Sequence, residues 1–231
     1  MSSYQLTNQE SSNASWGKTI RIALFLLFFV WITSSSFLSR ELIILGSNYD
    51  NKGDYDTAIM YYKLASWVLP TSPYPYYNRG LVYFKLGNNE LALADFNKTI
   101  EFDPKCSSAF VGQCAVHLMQ KEYDASIAEC TEAIDLGTDE IKAYLNRGWA
   151  YLENEKYDLA ILDFTKALEH KSITPSEEAY TYCVLGKMYA LKGNFSLAIP
   201  SFEKGISLDS KGEFGWCKIA LDNAQQGKSF P

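Results

Sequence analysis

The sequence has little of what nucleic-acid-binding and metal-binding proteins need. Its 231 residues include 21 lysines and arginines against 27 aspartates and glutamates, which gives a formal net charge of −6. Because binding to phosphate backbones depends on clustered basic side chains, nucleic acid is not an expected partner. The five cysteines form no C-x-x-C pair and no other metal-type spacing, so neither a metal site nor a cofactor is predicted.

The sequence also lacks the short motifs that mark common catalytic sites. It contains no glycine-rich phosphate loop, no G-x-S-x-G and no H-E-x-x-H. Only two histidines occur, His117 and His170, and neither has a nucleophile or carboxylate at a motif spacing. The sequence therefore predicts a protein without catalytic residues and without a small-molecule substrate.

What the sequence does contain is a pattern of 34 residues that recurs along the chain. In residues 73–106, Tyr76, Gly80 and Tyr83 share one face of a predicted helix, Gly87-Asn88-Asn89 predicts a turn, and a second helical pattern follows. The frame starts again at residues 39, 107, 141, 179 and 213. The eighth residue of each copy is always small: Gly46, Gly80, Cys114, Gly148, Gly186 and Ala220. Because one helical hairpin leaves apolar faces uncovered, the repetition predicts a stack of hairpins.

This pattern resembles the tetratricopeptide repeat family, whose period and W-x2-L-G-x2-Y…A-x3-F…P spacing it follows. The resemblance covers about residues 39–226 and implies an all-α fold, a right-handed solenoid of five helix-turn-helix repeats with a C-terminal capping helix. The predicted repeats are 39–72, 73–106, 107–140, 141–174 and 179–212, followed by the cap at 213–226 and a tail at 227–231. An insert around residues 175–178 precedes the fifth repeat.

The pattern of the N-terminal region is typical of a membrane segment. A polar stretch at 1–17, expected to be disordered, precedes Lys18 and Arg21. Residues 22–32 are consecutively apolar, and no charge occurs from Ile22 to Leu38. These 17 residues are the lower limit for crossing a bilayer, so a transmembrane signal anchor is predicted at 18–38. A cleaved signal peptide and a capping helix that stays out of the membrane are the alternatives.

The cues for the side of the membrane that the repeats occupy disagree, so the side stays open. Lys18 and Arg21 outweigh Arg40, which favours an N-terminus inside and repeats outside. Cys114 and Cys130 occupy core positions across one hairpin and are predicted to be buried thiols, although a bridge between them is geometrically feasible. Thiols favour a reducing compartment. Three N-glycosylation sequons start at Asn13, Asn97 and Asn194.

The resemblance also implies where a partner binds, since tetratricopeptide repeats use a concave groove lined by positions 2, 5, 9 and 12. An aromatic and aliphatic groove predicts an apolar or amphipathic peptide or helix of a protein partner. One alternative is that these side chains contact neighbouring repeats. Another is a permanent structural subunit of a larger membrane complex, in which apolar residues are buried on convex or edge surfaces rather than in the groove. The predicted binding residues are Tyr74, Tyr77, Asn78, Leu81, Phe84, Val111, Leu118, Lys142, Leu145, Asn146, Trp149 and Tyr180.

Two further predictions concern polar side chains within the repeats. Position 7 is Arg79 or Arg147 where position 23 is Asp95 or Asp163, which predicts a bond between the two helices of a repeat. The third repeat has Gln113 and Glu129 at these positions, and its His117 is predicted to pack in the place of a tyrosine. Its second half, from Glu122 to Glu140, carries acidic but no basic side chains and is interpreted as a solvated face, with a docking patch for a basic partner as the alternative.

Overall fold

Turn residues and prolines separate the helices of this chain. The computed structural model describes residues 34–137 and 141–228, and every regular element in these residues is an α-helix. The all-α prediction is therefore confirmed for the described residues. The predicted polar tail, the apolar run as far as residue 33 and the last three residues lie outside them. None of the helices in the described ranges has both the length and the apolarity needed to cross a membrane.

Eleven helices follow one another in the described residues, with short turns between them. Helix α1 covers residues 34–51. The others are α2 (Tyr55–Val68), α3 (Pro73–Lys85), α4 (Asn89–Phe102), α5 (Ser107–Met119), α6 (Tyr123–Asp135), α7 (Ile141–Glu153), α8 (Tyr157–Leu168), α9 (Pro175–Leu191), α10 (Phe195–Leu208) and α11 (Gly215–Gln225). The chain divides into two compact units, of which unit 1 ends at Leu86 and unit 2 starts at Gly87.

In unit 1, α1 and α2 form a hairpin, joined by the contacts of Ser39 with Ala65 and of Gly46 with Tyr62, and α3 packs on α2. The turn between α1 and α2 contains Gly53, whose φ of 77° is in the region that glycine adopts without steric cost. The Asp54 side chain then accepts a hydrogen bond from the backbone N–H of Thr57 and caps α2. Tyr62 is buried against Gly46, where a Cβ atom would lie 2.6 Å from the tyrosine ring. Burial raises the pKa of Tyr62 to about 12.

Unit 2 repeats the same packing along α4 to α11. Successive helices α5 to α8 contact one another, α9 packs closely on α10, and α11 packs on α10. The ring of Phe202 is buried against Gly186, and that of Phe164 against Gly148, as Tyr62 is against Gly46 in unit 1. The predicted small residue at position 8 therefore leaves room for the aromatic ring of the second helix, and a side chain there would clash with it.

The four residues of the predicted insert form the first turn of α9. Pro175 occupies the first helical position, where its missing N–H has no intrahelical acceptor in any case. Thr174 accepts a hydrogen bond from the backbone N–H of Glu177, and the Glu177 carboxylate accepts one from the backbone N–H of Thr174. This reciprocal capping box makes α9 one turn longer than the first helices of the other repeats in unit 2.

Unit 2 contains two disulfides, and one of them overturns the prediction that Cys114 and Cys130 are buried thiols. Cys114 is bonded to Cys130, across the α5–α6 hairpin, and Cys183 is bonded to Cys217, which links α9 to α11. All four cysteines are fully buried. Gly205 makes room for the second bond, because a Cβ atom there would lie 2.5 Å from the sulfur of Cys183. The sequence-based argument noted that a bridge between Cys114 and Cys130 was feasible but preferred buried thiols, and it did not consider Cys183 with Cys217, which belong to different copies of the repeat.

The predicted ion pair of the fourth repeat is confirmed. Arg147 donates from Nε and from its second terminal nitrogen to the two carboxylate oxygens of Asp163, at 2.7 and 2.8 Å. It also donates to Thr131 on α6, so it joins three helices. Gln113 differs from the prediction, because its amide donates to Asn97 at 2.8 Å rather than to Glu129. Arg79 and Asp95 belong to different units, so the ion pair predicted for the second repeat stays a prediction.

Candidate partner-binding site

The predicted binding residues of unit 1 lie on α3. Tyr74, at the start of this helix, is 66% exposed, while Tyr77, Leu81 and Phe84 are half-buried. The Asn78 amide donates to the backbone oxygen of Tyr74 at 2.8 Å, so one of its hydrogen-bonding groups is used within its own helix. Helix α3 therefore presents aromatic surface that is only partly covered, with the Asn78 carboxamide beside it.

In unit 2, the predicted residues of the fourth and fifth repeats form a row of aromatic rings. Trp149 on α7 stacks on Tyr180 of α9, with 5.7 Å between the ring centroids. Tyr180 in turn lies 5.2 Å from Phe214, next to the start of α11, and 6.3 Å from Trp216 within it. All four rings are half-buried, so one side of the row packs on the repeats and the other side is open to a ligand.

Polar groups border this row. Lys142, the second residue of α7, is exposed, and Asn146 is half-buried one turn before Trp149 in the same helix. Burial raises the pKa of Tyr180, so its phenol stays neutral at physiological pH and can both donate and accept a hydrogen bond. The surface thus combines large apolar contacts with a cation and amide groups, the composition typical of peptide-binding faces.

Some residues of the predicted binding stripe, which consists of positions 2, 5, 9 and 12 of the repeats, pack in the core instead. Val111 is only 6% exposed and packs with Ala133 and Ala143 in the core between the third and fourth repeats. Leu118 and Leu145 are half-buried, and Leu145 packs on the core that contains Phe164. The accessible part of the stripe in unit 2 is therefore concentrated at Lys142, Trp149 and Tyr180.

Phe214 and Trp216 extend the aromatic row but are absent from the sequence-based set. Phe214 is the second residue of the copy that starts at Glu213, the same position as Tyr74 and Tyr180. The sequence-based set stopped at the fifth repeat, because residues 213–226 were interpreted only as a capping helix. Applying the repeat frame to the last copy finds Phe214 directly, whereas Trp216 occupies position 4 and has no counterpart in the stripe.

The third repeat contains a polar contact of His117 that its sequence did not predict. His117 does not only pack in a tyrosine position, because its Nδ1 lies 2.7 Å from a carboxylate oxygen of Glu122. Burial raises the pKa of Glu129, which lies on the acidic helix α6. These contacts are internal to the repeat and bring no other candidate binding residue to the aromatic row.

The two histidines form no catalytic arrangement in the described residues. His170 Nδ1 lies 2.7 Å from the Ser172 hydroxyl, a contact that the sequence pattern did not predict. The backbone N–H of Ser172 is directed at the same ring nitrogen, so the histidine closes its own exposed turn. No group of three His, Cys, Asp or Glu side chains is placed to hold a metal ion anywhere in the described ranges.

Matches to models of known protein families identify the family of this chain. Two models, both described as tetratricopeptide repeat, match residues 73–106 and 141–172 in one case and 42–66 and 179–211 in the other. Together they cover more than half of the chain. The chain belongs to the tetratricopeptide repeat family. The prediction made from the 34-residue pattern is thus confirmed at the level of the family.

Proteins of known sequence or structure are similar to this chain. The human DnaJ homolog subfamily C member 7 is 30% identical over 100 residues, which are 39% of this chain and 20% of that protein. This chain thus spans about a fifth of the length of that relative. A solved fragment of MamA from Desulfovibrio magneticus RS-1 is 22% identical with a TM-score of 0.66, covering 76% of this chain and 97% of that one.

A third similar protein is a chain in the crystal structure of the APC/C hetero-tetramer Cut9–Hcn1. It is 20% identical with a TM-score of 0.69, and the match covers 84% of this chain and 38% of that one. At these identities the two solved structures establish the fold and leave the partners of this chain to its own surfaces.

Proposed function

We propose that this protein is a non-catalytic scaffold, anchored in a membrane, that binds a peptide or helix of a protein partner. The partner binds in the predicted groove, which is lined by the first helices of the repeats. Tetratricopeptide repeat proteins generally mediate protein–protein interactions and the assembly of complexes. The observation that carries the proposal is the half-buried row of Trp149, Tyr180 and Phe214, whose rings follow one another at 5.7 and 5.2 Å. Large rigid aromatic side chains of this kind supply most of the binding energy at protein interfaces.

The scaffold is tethered through residues 18–38, with the repeats on the oxidising side of the membrane. Two buried disulfides support this side, because such bonds persist in extracytoplasmic compartments and are rare in the cytosol. Because four of the five cysteines are in disulfides, they support the oxidising side and no longer favour a reducing compartment. Lys18 and Arg21 before the apolar run agree with an N-terminus on the cytoplasmic side.

A second candidate is a permanent structural subunit of a larger membrane complex. Position 19 of three repeats in unit 2 carries an exposed leucine on the second helix: Leu91, Leu159 and Leu197. Leucines that recur on the outer helices suit burial against a fixed neighbour, because exposed apolar surface of this kind marks interaction sites. In that case the outer helices, rather than the aromatic row, carry the main interface.

Photo-crosslinking in intact membranes separates the two candidates. A photoreactive residue in place of Lys142, beside the aromatic row, is expected to give an adduct with one protein partner. The matched control replaces Leu159 on the outer face of α8, and it is expected to give none. Trp149→Ala should abolish the adduct at position 142, because it removes the ring of the row that lies on the same helix as position 142. Adducts at 159 that survive Trp149→Ala overturn the groove proposal in favour of the structural subunit.

Protease treatment of sealed membrane vesicles tests the orientation and the anchor. If the repeats occupy the oxidising side, they resist protease added outside vesicles whose cytoplasmic face is outward, and they are digested after detergent is added. A tag before Met1 should be removed under both conditions while the repeats stay in the membrane after alkaline extraction. Digestion of the repeats in intact vesicles would reverse the orientation, and loss of the tag during biosynthesis would establish a cleaved signal peptide.

A further inference from the structure

The start of α1, the end of α2 and the start of α3 meet at one end of unit 1. The Ser39 hydroxyl on α1 donates to the backbone oxygen of Ala65 on α2 at 3.1 Å. Because the two helices are antiparallel, this register places Phe37 and Trp67 at the same level along the hairpin. A cleft of about 540 Å³ is lined by Ser36 and Arg40 of α1 together with Tyr74 of α3, so the start of α3 lies at the same end.

This end of unit 1 exposes large apolar and aromatic side chains. Trp67 is 81% exposed, Phe37 and Tyr74 are each 66% exposed, and Leu38 is 49% exposed. Leaving such rings in water forgoes the free energy that their burial would provide, which is about 25 cal/mol for each Å² of apolar surface. A cluster of four at one end of a small unit indicates a surface that is covered in the assembled protein.

The chain itself indicates what covers it. Phe37 and Leu38 are the last two residues of the uncharged stretch that begins at Ile22, and Arg40 follows two residues later. The exposed cluster is thus located where the proposed anchor leaves the hydrocarbon. Trp and Tyr are enriched at this level of a bilayer, because their rings enter the apolar region while their N–H and O–H groups bond to water and headgroups. Arg40 is then placed to bind lipid phosphates.

We propose that the end of unit 1 formed by Phe37, Leu38, Trp67 and Tyr74 lies in the headgroup–acyl boundary of a lipid bilayer. The inference rests on the proposed membrane anchor and adds a second contact to it. One helix entering a bilayer leaves the attached unit able to rotate and tilt. Insertion of Trp67 and Tyr74, which belong to two other helices, fixes how unit 1 stands on the membrane.

Crosslinking to lipid in the full chain tests this proposal. Trp67 is replaced by a photoreactive phenylalanine derivative, and the protein is reconstituted into phosphatidylcholine vesicles. The matched control replaces Met119 of unit 2, which is 68% exposed but distant in sequence from the anchor. A lipid adduct is expected at position 67 and none above background at 119. Alkaline extraction of the same vesicles reports separately on the anchor.

A fluorescence measurement guards against disturbance by the photoreactive group. Vesicles containing lipids brominated near the headgroup should quench the unmodified protein, and the Trp67→Phe variant should lose that share of the quenching. If the protein resists extraction but shows neither adduct nor Trp67-dependent quenching, the proposal is overturned while the anchor stands. A protein adduct at 67 instead of a lipid adduct also overturns it. If the protein is extracted and shows no lipid contact, both the anchor and this proposal fail.

Discussion

Units 1 and 2 use the same hairpin and complete it in different ways. In both, a glycine of the first helix is covered by an aromatic ring of the second, as in Gly46 with Tyr62 and Gly186 with Phe202. Unit 2 adds two disulfides and a buried ion pair. Unit 1 contains no cysteine, and although it is much the shorter, its described residues expose nine large apolar side chains against seven in the described part of unit 2.

The difference shows that the repeat pattern determines the packing within a hairpin but leaves the outer surfaces to other requirements. Unit 2 is stabilised by internal links that persist without any neighbour. The apolar end of unit 1 is consistent with a surface that is completed by another medium, for which the bilayer is proposed. Three substitutions test how far the internal links of unit 2 distinguish it from unit 1.

The largest effect is expected from removing the arginine of the buried ion pair. Arg147→Met leaves Asp163, whose side chain is 2% exposed, without its charge partner. The loss should be about 3–5 kcal/mol in the free energy of unfolding, because an unpaired buried charge is not solvated. The hydrogen bonds to Asp163 raise the pKa of Arg147, so the guanidinium stays charged. The ion pair therefore persists at any alkaline pH below that raised pKa. Urea unfolding followed by circular dichroism measures the change.

Two matched variants sharpen this result. The double variant Arg147→Met with Asp163→Leu removes both charges and should recover most of the lost stability. Leu45→Met changes the same repeat position in unit 1, where the side chain is an uncharged leucine, and should cost less than about 1.5 kcal/mol. If the single and double variants of unit 2 are equally unstable, the cost comes from lost packing rather than from the buried charge.

The disulfides should have the next largest effect, and only in unit 2. Replacing Cys183 and Cys217 by alanine opens a link between residues 34 apart and should lower the stability of unit 2 by about 2–4 kcal/mol. Replacing Cys114 and Cys130, which are 16 residues apart, should cost somewhat less. Amide hydrogen exchange with and without a reducing agent measures both effects.

Unit 1 is the internal control for this experiment, since no cysteine occurs before Cys106. Its amides in α1 to α3 should exchange at the same rate under both conditions. Equal exchange in unit 2 with and without the reductant would show that the bonds contribute nothing to its stability. That result would also remove the main support for placing the repeats on the oxidising side of the membrane.

The sequence predicted the helices, the turns and the Arg147–Asp163 pair, because each follows from positions within one 34-residue frame. It did not predict Cys183–Cys217 or the contact of Gln113 with Asn97, because these join different copies of the repeat. Such contacts depend on how far one hairpin is rotated on the next, which no spacing within a copy specifies. For the same reason the sequence could propose a binding stripe but could not tell that Val111 would be covered by Ala133 and Ala143.

The smallest effect is expected at the helix starts, where the two units offer a matched pair. Thr174 and Ser72 both precede a proline that begins a first helix, α9 in unit 2 and α3 in unit 1. Thr174 forms a capping box with Glu177, whereas the Ser72 side chain makes no capping hydrogen bond. Thr174→Ala should therefore cost about 1 kcal/mol. Ser72→Ala should change the stability by no more than about 0.5 kcal/mol, the usual limit for a surface substitution.

Urea unfolding of both variants under the same conditions gives the comparison. The side chains are similar in size and are both near a helix N-terminus, so helix propensity and exposure largely cancel. A cost at Thr174 that exceeds the one at Ser72 assigns the difference to the reciprocal bonds with Glu177. Glu177→Ala should then remove part of the same stability, and the double variant with Thr174→Ala should cost less than the sum of the two. An additive double variant would mean that the two side chains act independently, and the extra turn of α9 would then need another source of stability.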